Sequence, residues 1–133
     1  MFNFKIAVFD LDRTLWNGKT LYEDVLSILH RMKSYKVFMY IASFHLDAHG
    51  CCKELGIDKY FIDIYNNREI TKLQMIDEIH KMHPDIQQSE IIFFDDNIKN
   101  IEEVASKSLV RAVHVNSFGL NWVNIPTRSI LFE

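Results

Sequence analysis

Short apolar stretches of strand length recur along the chain. They are nearly continuous rather than alternating, and they are rich in β-branched and aromatic residues. Runs of this kind predict strands that are covered on both faces, as in a parallel sheet. There are four clear runs and a fifth, weaker one: Lys5–Phe9, Lys36–Ala42, Glu90–Phe94, Leu109–Val115 and the weaker Tyr60–Tyr65.

Segments with a helical period separate these runs. Their apolar residues recur three and four positions apart, which places them on one face of a helix. The first helix is expected to start near Leu21, and a further helix over Leu46–Leu55 is expected to end at Gly56. The alternation predicts a doubly wound α/β fold, a parallel sheet with helices on both faces. The three apolar stripes are Leu21, Val25, Ile28, Leu29 and Met32; Leu73, Ile76, Ile79 and Met82 or His83; and Ile98, Ile101, Val104 and Ala105.

Composition fits one domain over residues 1–133, with 48% hydrophobic and 25% charged residues for a core and a surface. The net charge of −3 argues against a protein that coats nucleic acid. The adjacent Cys51 and Cys52 are expected to be reduced, which indicates the cytoplasm, with the nucleus as an alternative. The run Met1–Phe9 is too short for a signal peptide or a membrane span, so we expect a soluble protein without a membrane partner.

The pattern weakens beyond Asn116. Gly119 and Pro126 indicate irregular backbone there. Trp122 and Ile130 are expected to pack this segment against the body of the domain, and no function follows from it.

Polar and acidic side chains follow three of the predicted strands. The first strand runs into Asp10–Thr14, the second ends at Ser43, and the fourth along the chain runs into Asp95–Asn97. In doubly wound sheets, ligands bind at the carboxyl ends of the strands. Two carboxylates one residue apart at the end of a buried strand repel each other, unless a cation or a proton offsets the repulsion. The sequence therefore predicts a binding site at this edge.

The acidic residues at this edge suit a magnesium ion. The candidate ligands are Asp10, Asp12, Asp95 and Asp96. Mg²⁺ takes a few carboxylate oxygens and completes its shell with water or substrate phosphate. A cation there would also let a carboxylate approach a phosphate dianion. No Cys/His spacing predicts zinc, and no glycine-rich loop predicts a P-loop.

A phosphoryl group at this site needs positive charge and hydrogen bonds on its oxygens. Ser43 and Lys72 are the candidates, because Lys72 opens the helix before the acidic strand. Other interpretations stay open at this point. Ser43 and Asn97 are also good helix caps, and Asn100 is either a support for the acidic loop or a surface amide.

These residues resemble the four motifs of the haloacid dehalogenase (HAD) superfamily of aspartate-nucleophile phosphatases. The likeness lies in Asp-x-Asp-x-Thr, a strand-terminal Ser, a Lys at a helix start and "FFDDN" after an apolar strand. Within the superfamily the chain is similar to the magnesium-dependent phosphatases, which share "FDLD.TLW" and "FFDD" followed by "N..N". The resemblance spans Ile6 to about Trp122 and implies a HAD-like fold.

The resemblance implies a role for each catalytic residue. Asp10 would be the nucleophile that forms an aspartyl-phosphate. Asp12 would protonate the leaving oxygen and then activate water, and Lys72 would stabilise the phosphoryl charge. Asp96, together with Asp95, would anchor Mg²⁺, and Asp12 would offer the metal its backbone carbonyl.

The resemblance also implies substrate-binding residues. Thr14 would hold the loop, and Ser43 would bind a phosphate oxygen. The family usually has an arginine after this serine, whereas Phe44 and His45 follow here, so the surroundings of the phosphate or the leaving group are expected to differ. His45 is a candidate phosphate contact, with a metal pair formed by His45 and His49 as an alternative.

No inserted cap domain is expected, because the segments after the first two motifs are short. An open site admits a bulky substrate such as a phosphorylated protein side chain, which favours macromolecular substrates unless an oligomer partner acts as a lid. The expected substrates are phosphoprotein, including phosphotyrosine, or a phosphosugar. One alternative is a nucleic-acid end phosphatase or phosphotransferase, which salt-sensitive oligonucleotide binding would support. The other is a non-catalytic module that binds phosphate or Mg²⁺ without turnover.

Overall fold

Five parallel strands form the centre of the protein in a computed structural model, which describes residues 2–126. The strand order across the sheet is β3-β2-β1-β4-β5, and every neighbouring pair is parallel. The prediction of a doubly wound α/β fold is confirmed. The strands are β1 Ile6–Phe9, β2 Phe38–Ser43, β3 Asp63–Asn66, β4 Ile91–Asp95 and β5 Arg111–His114.

Helices cover both faces of this sheet. Because successive strand residues point to opposite faces, β1 directs Ala7 and Phe9 toward α1 and α2, and Ile6 and Val8 toward α3 and α4. Each face thus has its own apolar layer. The four helices are α1 Val25–Ser34, α2 Ala48–Glu54, α3 Lys72–Lys81 and α4 Ile98–Lys107, with short 3-10 helices at Asp58–Tyr60, Gln88–Glu90 and Trp122–Asn124.

The prediction that the first helix starts near Leu21 was wrong, since α1 begins at Val25. Leu21 belongs instead to a short segment between β1 and α1, residues 12–22, which we call the flap. In the flap, Trp16 forms isolated β-bridges with Asp12 and with Leu21. The Tyr22 amide donates to the Leu15 carbonyl at 3.1 Å, which ties the end of the flap back to its start. Leu21 still packs against the core, but from the flap.

The central strands β1, β2 and β4 are covered on both faces as expected, apart from the exposed Phe38 at the start of β2. The edge strands are covered on both faces only at their middle residues: Ile64 and Val113 pack on one apolar layer, and Tyr65 and Ala112 pack on the other. β3 and β5 lie at the sheet edges, and their end residues are exposed. The predicted run Leu109–Val115 is also longer than β5, because Leu109 lies outside the strand and is exposed.

The helix predicted over Leu46–Leu55 begins two residues later than expected, at Ala48. The Asp47 carboxylate accepts the Gly50 amide at 3.0 Å and caps α2, so Leu46 lies outside the helix and is exposed. Gly56 follows the helix with a φ of 74°, the left-handed conformation that glycine adopts without strain.

Two features complete the description of residues 2–126. Trp122 packs against the core as predicted, and its indole donates to the Ser27 hydroxyl at 3.0 Å. Ile130 lies outside the described residues. Within the described range, none of the helices has both the length and the apolar character that a membrane crossing needs.

Candidate active site

The central strands bring the first and last motifs together. β1 pairs with β4, with Phe9 opposite Phe94, so Asp10 and Asp95 leave adjacent strands at the same height. The Asp10 amide donates to the Phe94 carbonyl at 2.9 Å and extends the pairing by one residue. Two acidic side chains are thus held side by side at the carboxyl edge of the sheet.

Lys72 is inserted between these two carboxylates. Its ammonium lies 2.8 Å from Oδ1 of Asp10 and 2.9 Å from Oδ2 of Asp95, and all three side chains are buried. Lys72 is the first residue of α3, whose start is fixed by a capping box between Thr71 and Gln74. A buried ammonium is tolerated here because it is paired on two sides.

The other oxygens of the two carboxylates also have partners. The Thr14 hydroxyl donates to Oδ2 of Asp10 at 3.2 Å. Asp95 accepts the Asn97 amide on Oδ1 and the Asn100 side-chain amide on Oδ2, both at 2.9 Å. These bonds fix the orientation of both acids, and they place Asn100 in support of the acidic loop.

The arrangement fits the predicted magnesium ion. One carboxylate oxygen each from Asp10, Asp95 and Asp96 lies within 4.8 Å of the others. Burial raises the pKa of Asp10 from 3.8 to about 8. The Lys72 ammonium acts in the opposite direction and lowers this pKa, whereas the neighbouring Asp95 raises it further. A divalent cation would offset this electrostatic cost, and carboxylate oxygens are the ligands that Mg²⁺ prefers.

The Asp12 side chain stands apart from this cluster. It is half-exposed, and its Oδ1 accepts the Trp16 indole N–H at 2.8 Å. His45 Nε2 lies 3.8 Å from the same oxygen. His45 Nδ1 accepts the Asp47 amide at 2.9 Å, which leaves the ring proton on Nε2, facing Asp12.

The residues at the end of β2 are placed differently from one another. Ser43 is buried, and its hydroxyl accepts the His45 amide at 2.9 Å. The Phe44 ring lies 5.0 Å from the Lys72 ammonium, within cation–π distance. The Phe44 carbonyl accepts Nε of Arg68 at 2.8 Å, which holds a guanidinium beside the site.

A cavity of about 480 Å³ opens above these groups. Thr14 and Ser43 do not line it; they support it from below. His49 is exposed on α2, and neither it nor His45 belongs to a cluster of three or more metal-ligating side chains among the described residues. The lining residues are Asp10, Asp12, Arg13, Phe44, His45, Leu46, Arg68, Lys72, Asp95, Asp96, Asn97 and Asn100.

Two further residues contribute to the site, and the sequence motifs do not identify them. Trp16 is part of the core and also a hydrogen-bond donor to Asp12, and only the bridge to Asp12 in the flap reveals the second role. Arg68 precedes α3 by a few residues, and its position under Phe44 depends on the β2–β3 pairing. Its basic character was the one available signal.

The strand order and the acidic edge are those of the HAD superfamily. A haloacid dehalogenase-like hydrolase from Streptococcus pneumoniae has the same fold, with a TM-score of 0.72, 15% identity, and coverage of 88% of this chain and 87% of that one. A 3-deoxy-D-manno-octulosonate 8-phosphate phosphatase from Moraxella catarrhalis, solved with magnesium, phosphate and KDO, has a TM-score of 0.56, 22% identity, and coverage of 77% and 63%.

The chain belongs to the acid phosphatase family, whose model matches residues 17–128. It is 29% identical to human magnesium-dependent phosphatase 1 over 155 residues, which cover 94% of this chain and 83% of that protein. The predictions of the HAD superfamily and of a phosphatase are confirmed. Magnesium as the cofactor agrees with the carboxylate cluster and with these relatives.

Proposed function

We propose that this protein is a Mg²⁺-dependent phosphomonoester hydrolase with Asp10 as the nucleophile and Asp12 as the general acid and base. The observation that carries the proposal is the Lys72 ammonium held between Asp10 and Asp95, with the Asp96 carboxylate beside them. This constellation combines a fixed nucleophile, a cation for the phosphoryl oxygens and ligands for a metal.

Mg²⁺ bound by Asp95, Asp96 and Asp10, with the Asp12 backbone carbonyl, would neutralise charge between the phosphate and the nucleophile. In the first step, an Asp10 oxygen attacks phosphorus, and the bond from phosphorus to the ester oxygen breaks. Asp12 gives its proton to that oxygen, so an alcohol leaves and Asp10 carries the phosphoryl group.

In the second step, water attacks the phosphorus of the aspartyl-phosphate. Asp12, now ionised, takes the proton of the water, and the bond from phosphorus to the Asp10 oxygen breaks to release phosphate. Because Oδ1 of Asp12 already accepts the Trp16 N–H, Oδ2 is the atom that carries the transferred proton.

Other residues of the site bind and orient the phosphoryl group. Lys72 can stabilise its charge while keeping Asp10 in place. Ser43 lies outside the cavity lining, but its hydroxyl accepts the His45 amide and so keeps a proton to donate to a phosphoryl oxygen that reaches it. Phe44 and His45 line the cavity, and the Arg68 guanidinium, held on the Phe44 carbonyl, adds a positive charge there.

The substrates are expected to be phosphoprotein, including phosphotyrosine, or a phosphosugar. No inserted domain covers the cavity among residues 2–126, because only the flap separates β1 from α1. An open cavity accepts a phosphate on a bulky carrier. The cytoplasmic location stays a prediction.

The test is hydrolysis of p-nitrophenyl phosphate with Mg²⁺, with EDTA, and by Asp10→Asn. Asp77→Asn is the matched control, because Asp77 is exposed on α3. We expect metal-dependent turnover by the wild type and the control, and a loss of at least about a thousandfold in Asp10→Asn. Acid-quenched wild type should carry one phosphoryl group on the Asp10 peptide. Metal binding without turnover on any ester would instead support a binding module.

A further inference from the structure

A second cavity of about 590 Å³ adjoins the active site. The two cavities share Arg13 and Asp96. The His114 ring lies 2.9 Å from the Asp96 carbonyl and fastens β5 to this boundary. The remaining walls come from the flap, with Asn17 and Tyr22, and from the segment after β5, with Asn116 and Ser117.

Two asparagines that line this cavity, Asn17 and Asn116, are oriented by hydrogen bonds to their side-chain oxygens. The Oδ1 atom of Asn17 accepts the amides of Lys19 and Thr20, at 2.9 and 3.0 Å. The Oδ1 atom of Asn116 accepts the Phe118 amide at 3.0 Å. With their oxygens occupied by backbone, both asparagines offer their NH₂ groups to the cavity.

Arg13 adds a positive charge at the junction of the two cavities. It adopts a φ of 60°, which is uncommon for a residue other than glycine, and its amide donates to the Trp16 carbonyl at 2.8 Å. Its guanidinium has no hydrogen-bond or ion-pair partner among residues 2–126. A free cation on a strained turn beside Asp12 is available to a ligand.

A close contact between Gly119 and the Tyr22 ring positions the aromatic wall of the second cavity. Gly119 has a φ of 76°, and a Cβ at this position would overlap the Tyr22 ring. Glycine therefore lets the segment after β5 pack directly on Tyr22 and close the far side of the cavity.

We propose that the second cavity binds the leaving alcohol of the substrate and selects alcohols that carry a carboxylate or a similar anionic group. This inference rests on the proposed function. Asp12, the proposed proton donor to the leaving oxygen, lines the active-site cavity, and Arg13 lines both that cavity and the second one, so Arg13 lies on the side toward which the alcohol would leave. Two amide NH₂ groups and one guanidinium match an acceptor-rich, negatively charged group.

A matched pair of esters tests this selection. 3-Phosphoglycerate and glycerol 3-phosphate share a three-carbon skeleton, and a carboxylate in the first replaces a hydroxymethyl group in the second. We expect kcat/KM to favour 3-phosphoglycerate by about tenfold, the value of one charge-assisted contact. Arg13→Gln should abolish that preference, and Arg13→Lys should retain part of it. Arg31→Gln, an exposed position on α1, is the control and should keep it.

Binding of the product alcohol gives a second measurement that needs no turnover. In ¹⁵N-labelled protein, D-glycerate should shift the side-chain amide signals of Asn17 and Asn116, whereas glycerol should not. Arg13→Gln should remove the shifts, and Arg31→Gln should preserve them.

The outcomes separate the two proposals. Hydrolysis of p-nitrophenyl phosphate with equal kcat/KM for the matched esters overturns the leaving-group selection and leaves the proposed function standing. Absence of hydrolysis of every ester overturns the proposed function. Equal shifts with D-glycerate and glycerol, or none with either, overturn the anion site directly.

Discussion

The Lys72 ammonium lies 2.8 Å from Oδ1 of Asp10, although the two residues are 62 positions apart in the chain. Both side chains are buried, and Asp95 completes the group from the adjacent strand. The ammonium thus has two tasks in the site: it pairs two desolvated carboxylates, and it places a positive charge where a phosphoryl group would bind.

Removing this ammonium is expected to destabilise the metal-free protein. Lys72→Met leaves two buried carboxylates without their cation, at a cost of roughly 3–5 kcal/mol in the free energy of unfolding. Urea denaturation with EDTA measures the loss, and Mg²⁺ should restore part of it by replacing the positive charge. Lys81→Met, exposed on the same helix, is the control. Equal stability of the two variants would contradict the role of Lys72.

Magnesium affinity is expected to depend on pH below 8. The pKa of Asp10 is raised to about 8 in the metal-free protein, because burial disfavours the charged form. Mg²⁺ needs the ionised carboxylate, so binding near neutral pH displaces a proton, and the affinity should rise roughly tenfold per pH unit up to about pH 8. Isothermal titration calorimetry in buffers of different ionisation enthalpy counts the proton. A flat affinity between pH 6 and 8 would refute the raised pKa.

Replacement of Asp12 should lower the activity most for substrates with poor leaving groups. An alkoxide needs a proton as it departs, whereas p-nitrophenolate is stable without one. Asp12→Asn should therefore lower kcat/KM for glycerol 3-phosphate by roughly 10²–10⁴-fold. The loss of kcat/KM for p-nitrophenyl phosphate should be smaller than this by a factor of at least about ten. Steady-state kinetics on both esters decide the point. Equal losses would assign Asp12 to binding or structure rather than proton transfer.

Stability should fall as the solution is acidified through the histidine range. His83 Nε2 lies 2.6 Å from the Tyr40 hydroxyl, and burial lowers the pKa of His83 from 6.5. Below pH 6.5 the unfolded chain then binds more protons than the native protein, so the free energy of unfolding decreases as the pH falls toward the native pKa.

Chemical denaturation at several pH values measures this dependence. His83→Gln should reduce the slope between pH 6.5 and 5, because the residue that titrates differently in the two states is gone. His49→Gln on α2 should leave the slope unchanged. A slope that persists in full after His83→Gln would show that another group is responsible.

Much of the fold follows from local patterns. The apolar runs of β1 and β4 are buried on both faces, so their sequences carry an unambiguous signal. The edge strands β3 and β5 are half-exposed, and their bounds differ from those of the predicted runs Tyr60–Tyr65 and Leu109–Val115. The start of α1 depends on the flap, in which Trp16 pairs with two segments; such pairing leaves no periodic trace in the sequence.

The same division runs through the candidate site. The acids at the strand ends can be recognised from the chain alone, because the apolar runs before Asp10 and Asp95 are buried and a carboxylate there is costly without a partner. The partners of those acids become visible only in the folded structure. Trp16 binds Asp12, Asn100 binds Asp95, and Lys72 joins β1 to β4. The Lys72 contacts arise where the parallel sheet brings distant segments to one edge, and no spacing along the chain encodes such a distance. The Trp16 and Asn100 contacts are local, and they depend on how the segments after β1 and β4 fold.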